Sequence, residues 1–533
     1  MWAASLALGQ LPGRRAAALG SALILALAIA GCGSGSSGPA DGAAKVTPAD
    51  ALAYVNLSLD SGRPAVAQAL KLAKRLPNYG LAVAALQTRL GLLAGGSASG
   101  AFGSSVKPWL GNEAAIALLS APTATPASLL MLDVRDRGQA QAFLSRAGAR
   151  RASSYRGTPL LHTTTGGAAA FVSHFLVLGQ DASVRDAVDV AGGHVPSLAA
   201  STTYQDAAAG QPDDRVLDAY ASASGVRVLA GLRGFPGALG QLIYQPALSG
   251  VSIAVSPADN GARVRIHSAL DSSLLRVSAP AGPSFKPSLA QAIPSGAVLM
   301  LEVAGLSRIA PRILSAGAAG GVAGQVGPLL GRLGKALASE GVNVSSLLSL
   351  FGGETAVTIT SSSSKPALLI VARTAHEQQV RTQLAALEIP LEQLFPPAAA
   401  GPGQAPAFTD RQVAGVTIHQ LGLAPGLELD YAVNNGLLLV STGGTAIISA
   451  VRHPRSLADD PRFRAALPGV PEKATSLLFL DFSQLLSLGE QTGLTKSAQF
   501  RALRPDLQRI RAVGLTSTRG EADSTAELFL QIP

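Results

Sequence analysis

Reactive side chains are scarce in this sequence. Cysteine occurs once in 533 residues, as Cys32, which excludes an intramolecular disulfide framework and a cysteine-built metal cluster. Aromatic residues make up 4% of the chain and charged ones 14%. Any core must therefore be filled by Ala, Leu and Val, and hydrophobic residues at 47% supply enough of them for two or more domains. There is no long run of Lys and Arg. The formal charge of +9 is spread out, and its densest patches, Arg146 to Arg151 and Arg501 to Arg511, are interrupted by apolar residues. Nucleic acid is thus excluded as the expected partner.

What the N-terminus does contain is ordered. Arg14 and Arg15 precede an uncharged apolar stretch from Ala16 to Ala30, followed by Gly31 and Cys32. That is the order of a secretory signal peptide, and the stretch is shorter than the roughly 20 apolar residues of a membrane span. Ile29-Ala30-Gly31-Cys32 resembles the lipobox of bacterial lipoproteins. The resemblance implies that residues 1–31 are a cleaved lipoprotein signal peptide and that the sulfur of Cys32 carries a diacylglycerol. Loss of Arg14 and Arg15 then lowers the charge from +9 to +7. Residues 32–46, which include GSGSSGPADGAA, read as a Gly/Ser-rich tether. The expected location is extracytoplasmic, on the cell membrane, held by acyl chains at about 0.8 kcal/mol per buried methylene.

Beyond residue 46 the chain repeats itself. Pro48-ADALAYVNLSLD, Pro212-DDRVLDAYASAS, Pro294-SGAVLMLEVAGL and Pro471-EKATSLLFLDFSQL share a proline followed by a β-rich apolar run, with proline taken as the strand's first residue. Further pairs keep the same order. Leu110-Gly-Asn-Glu113 matches Phe351-Gly-Gly-Glu354, Pro126-ASLLMLDVRD matches Pro366-ALLIVARTA, Phe175-LVLG matches Leu437-LLVS, and His194-VPSLAAS matches His453-PRSLADD. Offsets of 294 − 48 = 246 and 471 − 212 = 259 differ only by loop-sized amounts. The expected organisation is a first copy at 47–281, a linker at 282–286 and a second copy at 287–533. Strand patterns outnumber helical ones and follow one another across short turns. The fold class expected is α+β, two tandem homologous copies, each mainly antiparallel sheet with helices packed on one face. One run, Ala169 to Leu178, reads as a single strand.

PADALAYVNLSLD, VKPWLGNEAAIALL and the proline-led units are together similar to an uncharacterised bacterial family, domain of unknown function 3352. The resemblance extends over nearly all of the chain after the leader and brings no established activity with it.

Chemistry is sparse by comparison. The seven histidines form no HExxH or HxxxH pair, Ser362-Ser-Ser-Lys365 has no Lys-Thr-Gly partner, and Gly317 to Lys335 contains no phosphate-binding loop. His194 and His453 occupy matching places, and His162 and His419 lie near matching strand ends. Glu113 and Glu354, each two residues after a glycine, read as acceptors of backbone N–H bonds at a turn, and Trp109 as a core anchor. No cofactor, metal or catalytic residue is expected. The leading expectation is a non-enzymatic, lipid-anchored envelope protein that binds or scaffolds an envelope protein or an apolar ligand, through a surface or groove between its copies. The alternative is an envelope hydrolase whose groups meet only in the fold.

Overall fold

Alternating apolar residues with β-branched and small side chains make most of this chain into strands. The computed structural model describes residues 41–81, 106–120, 126–163, 166–231, 243–275, 283–306, 348–361, 366–393, 407–424, 427–452, 455–491 and 498–533, with a few isolated positions between them. Ile29, Ala30, Gly31, Cys32, Ser362 to Lys365, Gly317 to Lys335 and His453 lie outside the described residues.

The first half runs β1 (Ala53–Ser58), α1 (Pro64–Ala73), β2 (Leu110–Leu119), β3 (Ala127–Val134), α2 (Arg137–Arg146), β4 (Arg150–Tyr155), β5 (Thr158–His162), β6 (Ala168–Val172), β7 (Phe175–Gly179), α3 (Asp181–Ala191), α4 (Thr202–Ala208), β8 (Leu217–Ser222), α5 (Ala223–Ala230), β9 (Leu248–Ala258) and β10 (Gly261–Leu270). The second runs β11 (Ala297–Ala304), β12 (Glu354–Ser361), β13 (Pro366–Arg373), α6 (Glu377–Gln393), β14 (Phe408–Val413), β15 (Val416–Ala424), β16 (Leu427–Asn434), β17 (Leu437–Ser441), α7 (Gly444–Arg452), α8 (Pro461–Ala466), β18 (Ser476–Asp481), α9 (Phe482–Gln491), α10 (Ala498–Leu507), β19 (Ala512–Arg519) and β20 (Asp523–Gln531). Helix starts follow local chemistry. Asp136 accepts the Gln139 N–H at α2, Ser222 accepts the Gly225 N–H at α5, and Pro64 and Pro461 open α1 and α8 where no N–H is needed.

All the described strands join one antiparallel sheet. From one edge its order is β4-β5-β6-β7-β3-β2-β1-β8-β9-β10, and from the other β14-β15-β16-β17-β13-β12-β11-β18-β19-β20. β10 and β20 meet in the middle and pair from Gly261↔Gln531 to Ala269↔Asp523. The outer hairpins turn alike: Arg156-Gly157 and Ala414-Gly415 both hold positive φ at two residues, which matches the twist of the flanking strands. Each outermost strand is blunted as an edge, β4 by exposed Arg150 and Arg151 with a bulge, β14 by exposed Asp410 and Arg411.

Mainly antiparallel α+β architecture is what the sequence leads one to expect, but helices cover both faces and not one. On β3, Leu129 and Met131 pack with Tyr54, Phe175 and Val184 of α3, while Leu132 packs on the opposite side with Trp109, Phe143 and Leu144 of α2. The second half repeats this, with Met300, Leu369 and Phe479 beneath Ile447 of α7 and Phe463 of α8, and Ala372, Tyr431 and Leu438 against Val380 and Leu384 of α6. Strands such as Ser128-Leu-Leu-Met-Leu are apolar at successive positions, so both faces need cover. Ala169 to Leu178 is a hairpin, β6 and β7, because Ser173 adopts φ 52° and reverses the chain. The repeated prolines stand three to five residues ahead of their strands: Pro48 and Pro294 instead make isolated bridges with Ser197 and Ser456. Within the expected linker, Phe285 is bridged to Ala474 by two hydrogen bonds of 2.8 Å.

The β10–β20 seam is tight. Arg265 meets Glu527 at 3.3 Å, His267 Nδ1 lies 3.0 Å from Thr525 Oγ1, and Arg75 donates to the Ile532 carbonyl at 3.1 Å. Gly261 faces the Leu530 carbonyl so closely that a Cβ would stand 2.0 Å from its oxygen. Gly261→Val is therefore expected to force β10 from β20 at a cost of about 2–4 kcal/mol, the range for backbone clashes and overpacking. Thermal unfolding checks this, and a melting temperature equal to wild type would refute the close approach.

Candidate functional site

Two short 3-10 turns sit on the sheet, Ala43–Lys45 and Leu289–Gln291, and carboxyl groups rising from the strands hold the N-terminus of each. Such a terminus presents free N–H groups and a partial positive charge, so an acidic side chain is the fitting partner. Glu113 on β2, 1% exposed, accepts the N–H of Gly42 at 3.0 Å and of Ala43 at 2.9 Å. Glu354 on β12 accepts the Ser288 N–H at 2.7 Å and its hydroxyl at 2.9 Å. The turn role expected for both glutamates is the one they have.

The segment before β1 corrects another expectation. The tether does not extend to residue 46: Ala43 and Ala44 are fully buried and Val46 is 3% exposed. Asp41 accepts hydroxyl bonds from Tyr54 at 3.3 Å and Tyr204 at 3.0 Å, and Tyr204 packs edge-on against Tyr54 and Tyr220. Small residues read as flexible linker in isolation; here Ala43 and Ala44 are buried, and a Cβ on Gly42 would stand 3.2 Å from the Glu113 carboxyl.

The second half adds a carboxyl group. Glu302 on β11 stands opposite Ala356, as Asn56 on β1 stands opposite Ala115. Glu302 is 0% exposed, and its Oε1 accepts the N–H groups of Ser288 at 3.0 Å and Leu289 at 3.2 Å. Burial pushes its pKa up to about 8, so it is protonated at neutral pH and donates to Glu354. Burial also opposes ionisation of Glu354, but the hydrogen bonds from Glu302, Arg373 and Ser288 outweigh it and hold Glu354 below the usual carboxylate range. In the first half, burial against only two backbone N–H bonds lifts Glu113 to about 7.

Above the Glu302–Glu354 pair opens a cleft of about 810 Å³, with Ser288, Gln291, Arg373, Asn435, Arg455 and Asp459 in its walls. Arg373 donates to Glu354 Oε2 through Nε at 2.9 Å and to Ser288 Oγ through Nη2 at 2.6 Å. The corresponding place in the first half is chemically different. Asp133 takes the register position of Arg373, since it lies opposite Phe175 as Arg373 lies opposite Leu437. Pro196, just before the bridging Ser197, takes that of Arg455 before Ser456. Gly42 takes that of Ser288, and a Cβ there would come within 3.1–3.2 Å of His174, Glu113 and Phe175. A smaller cleft, about 480 Å³, lies between α1 and the β9–β10 turn, with Gln68, Lys71, Arg75 and Asp259 in its walls.

The histidines do not converge. The His194 N–H closes the end of α3 on the Asp189 carbonyl at 2.9 Å. His162 lies four residues beyond the first residue of β5 and His419 three beyond the first of β15, so the two point to opposite faces. His162 Nε2 is 3.7 Å from Asp181, whereas His419 stacks on Tyr431 and meets Asp410 at 2.8 Å and Glu388 at 3.3 Å. Trp109 is 1% exposed against Phe143, as a core anchor should be. Among the described residues no three His, Cys, Asp or Glu side chains are placed to hold a metal ion, and no helix is long and apolar enough to cross a membrane. Sequence reasoning did not single out Glu302, Arg373, Asn435 or Arg455. Contrast between the repeated segments carried the signal, since aligning PASLLMLD from Pro126 with PALLIVAR from Pro366 sets Asp133 against Arg373.

Fold and site define a mainly antiparallel α+β protein with carboxyl-held turns on a continuous sheet. The family model described as Protein of unknown function (DUF3352) matches residues 16–532, and the chain belongs to that family. No curated protein matches. Among solved structures, crystal form IV of TP0453 is similar at 10% identity over 42% of this chain and 79% of that one, TM-score 0.26. Crystal form III of TP0453 is similar at 12% identity over 44% and 85%, TM-score 0.26. Both likenesses are slight.

Glu302 and Glu113 have folded pKa values above the ordinary carboxyl value, so between about 4.5 and 8 the folded chain holds more protons than the unfolded one. Stability then falls as pH rises through that window. The melting temperature is expected to drop between about pH 5.5 and about pH 8.5, and Glu302→Gln, which keeps a donor and an acceptor in place, to flatten the drop. Parallel curves for the two proteins would show that Glu302 is not the linked group.

Proposed function

We propose that the protein is a lipid-anchored, non-enzymatic binding protein on the extracytoplasmic side of the cell membrane, built by duplication of one α+β unit. The observation that carries the binding role is the cleft over Glu302 and Glu354, open where the first half packs His174 and Phe175 against Gly42. One copy keeps the turn packed and the other presents a concave place of ligand size with two arginines, an aspartate and two amides beside Ala292, Leu437 and Pro461. The charged groups Arg373, Arg455 and Asp459 favour a ligand with polar groups over a wholly apolar cargo, and a site within the second copy over a groove between copies.

Support for the duplication comes from the identical strand order, the matched outer turns and the carboxyl-held 3-10 turn in each half. The seam adds to it. Arg265 and Glu527 pair with each other, and they hold matching places, opposite Ala254 and Thr516 in their own halves. Antiparallel pairing of matching strands is the geometry of an isologous dimer of the single unit.

The anchor reading rests on the lipobox at Ile29 to Cys32. Asp41 belongs to the folded body, so nine residue steps separate it from Cys32, a reach of about 30 Å at most. On this reading the body stays close to the bilayer, and the exposed sheet edges and the cleft face the envelope. Cell fractionation with Cys32→Ser tests it. The wild-type protein should sediment with membranes and yield a diacylated N-terminal peptide by mass spectrometry, and the variant should leave the membrane fraction. A variant that still sediments, together with an unmodified Cys32 in the wild type, would end the lipid-anchor reading.

A further inference from the structure

We propose that the cleft of the second half binds an anionic, hydroxylated small molecule, a sugar unit bearing a phosphate or carboxylate, with its anionic group between the guanidinium groups of Arg373 and Arg455. The proposal rests on the binding-protein reading for the cleft's role and adds the chemical class of the ligand.

Two arginines reach one cleft from separate parts of the chain. Arg373 comes from the end of β13 and Arg455 from the segment just before Ser456. Arg373 spends two donors on Glu354 and Ser288, and its side chain is still 52% exposed. A guanidinium carries five N–H donors, so those left over serve the cleft. Arg455 is exposed, and no side-chain hydrogen bond or ion pair engages it among the described residues. Paired guanidinium groups are the residue type suited to planar, bidentate capture of phosphate or carboxylate.

Neutral and acidic groups complete the lining. The Gln291 and Asn435 amides offer both donors and acceptors. Asp459 accepts the Ser456 hydroxyl through Oδ2 at 2.6 Å, and its other oxygen remains an acceptor. A second anion would be repelled there and a hydroxyl group welcomed, which matches a ligand with one charged end and a hydroxylated body. The volume of about 810 Å³ exceeds what a bare phosphate needs and falls within the range of small-molecule sites. The first half supplies the contrast: Asp133, Pro196 and Gly42 stand where Arg373, Arg455 and Ser288 stand in the second. Two of the cationic differences between the halves, Arg373 and Arg455, fall in the walls of this one cleft.

Titration calorimetry on the full-length protein in neutral detergent tests the assignment, with glucose 1-phosphate, glucuronate and uncharged glucose as probes. Binding of either anionic probe and not of glucose supports it, and the one preferred separates phosphate from carboxylate as the source. Arg455→Ala makes no change to the protein's own hydrogen bonds, so its melting temperature should match wild type while anion affinity falls at least about tenfold. Arg373→Ala should also lose binding, with lower stability because Glu354 loses a partner. Failure of both anionic probes to bind, equal binding of glucose, or an Arg455→Ala protein that binds like wild type would overturn the proposal. None of these outcomes depends on membrane attachment through Cys32, which fractionation reads separately.

Discussion

A carboxyl group buried in a sheet protein must find partners or lose its charge, and that constraint organises both halves of this chain. Glu113 and Glu354 meet it with the free N–H groups of a 3-10 turn. The turn in exchange is pinned to the sheet at its start, which places the chain entering β1 and β11 and the Pro48 and Pro294 bridges that follow. In the first half the arrangement is closed over by His174 and Phe175. In the second, burial keeps Glu302 in its neutral form beside Glu354, and Arg373 and Ser288 bond to Glu354 from the cleft side. The buried Glu302 of the second half thus goes together with an open cleft.

The sheet itself depends on a second non-local interaction. The ten described strands of each half reach a size at which open sheets ordinarily curl or split. Here the two sets continue into one another because β10 and β20, both at chain-segment ends, pair along their length. Gly261 allows the backbones to approach at one end, and Arg265 and Glu527 place opposite charges at the centre, where two copies of one residue would face like against like. Covering both faces with helices follows from strands such as Ser128 to Val134, whose apolar residues are consecutive.

The matching of chemistry between the halves is uneven, and the unevenness is informative. Backbone features are kept: the outer two-residue turns, the held 3-10 turn and the strand order. Side chains around the cleft are not kept. Structural demands act on both halves alike, whereas a wall of Arg373, Arg455 and Ser288 is present in the second half alone.

Local patterns in the sequence determined a good deal about this protein. Alternation within the proline-led units is a property of neighbouring residues, and it located β1, β8, β11 and β18 without reference to anything distant. The same holds for Glu113 and Glu354, whose position after a glycine at the head of a strand leaves few acceptors for a turn other than the carboxylate. Ser173, by contrast, reverses the chain inside a run that reads as one strand, because positive φ at a non-glycine residue has no local signature. Ala43 and Ala44 read as tether because small residues have no intrinsic preference for burial; what buries them is Glu113, seventy positions away. Tertiary structure alone decided the β10–β20 pairing and the placing of Arg373 and Arg455 in the walls of one cleft, since closing loops of that length is governed by packing over the whole sheet and leaves no mark on the residues between.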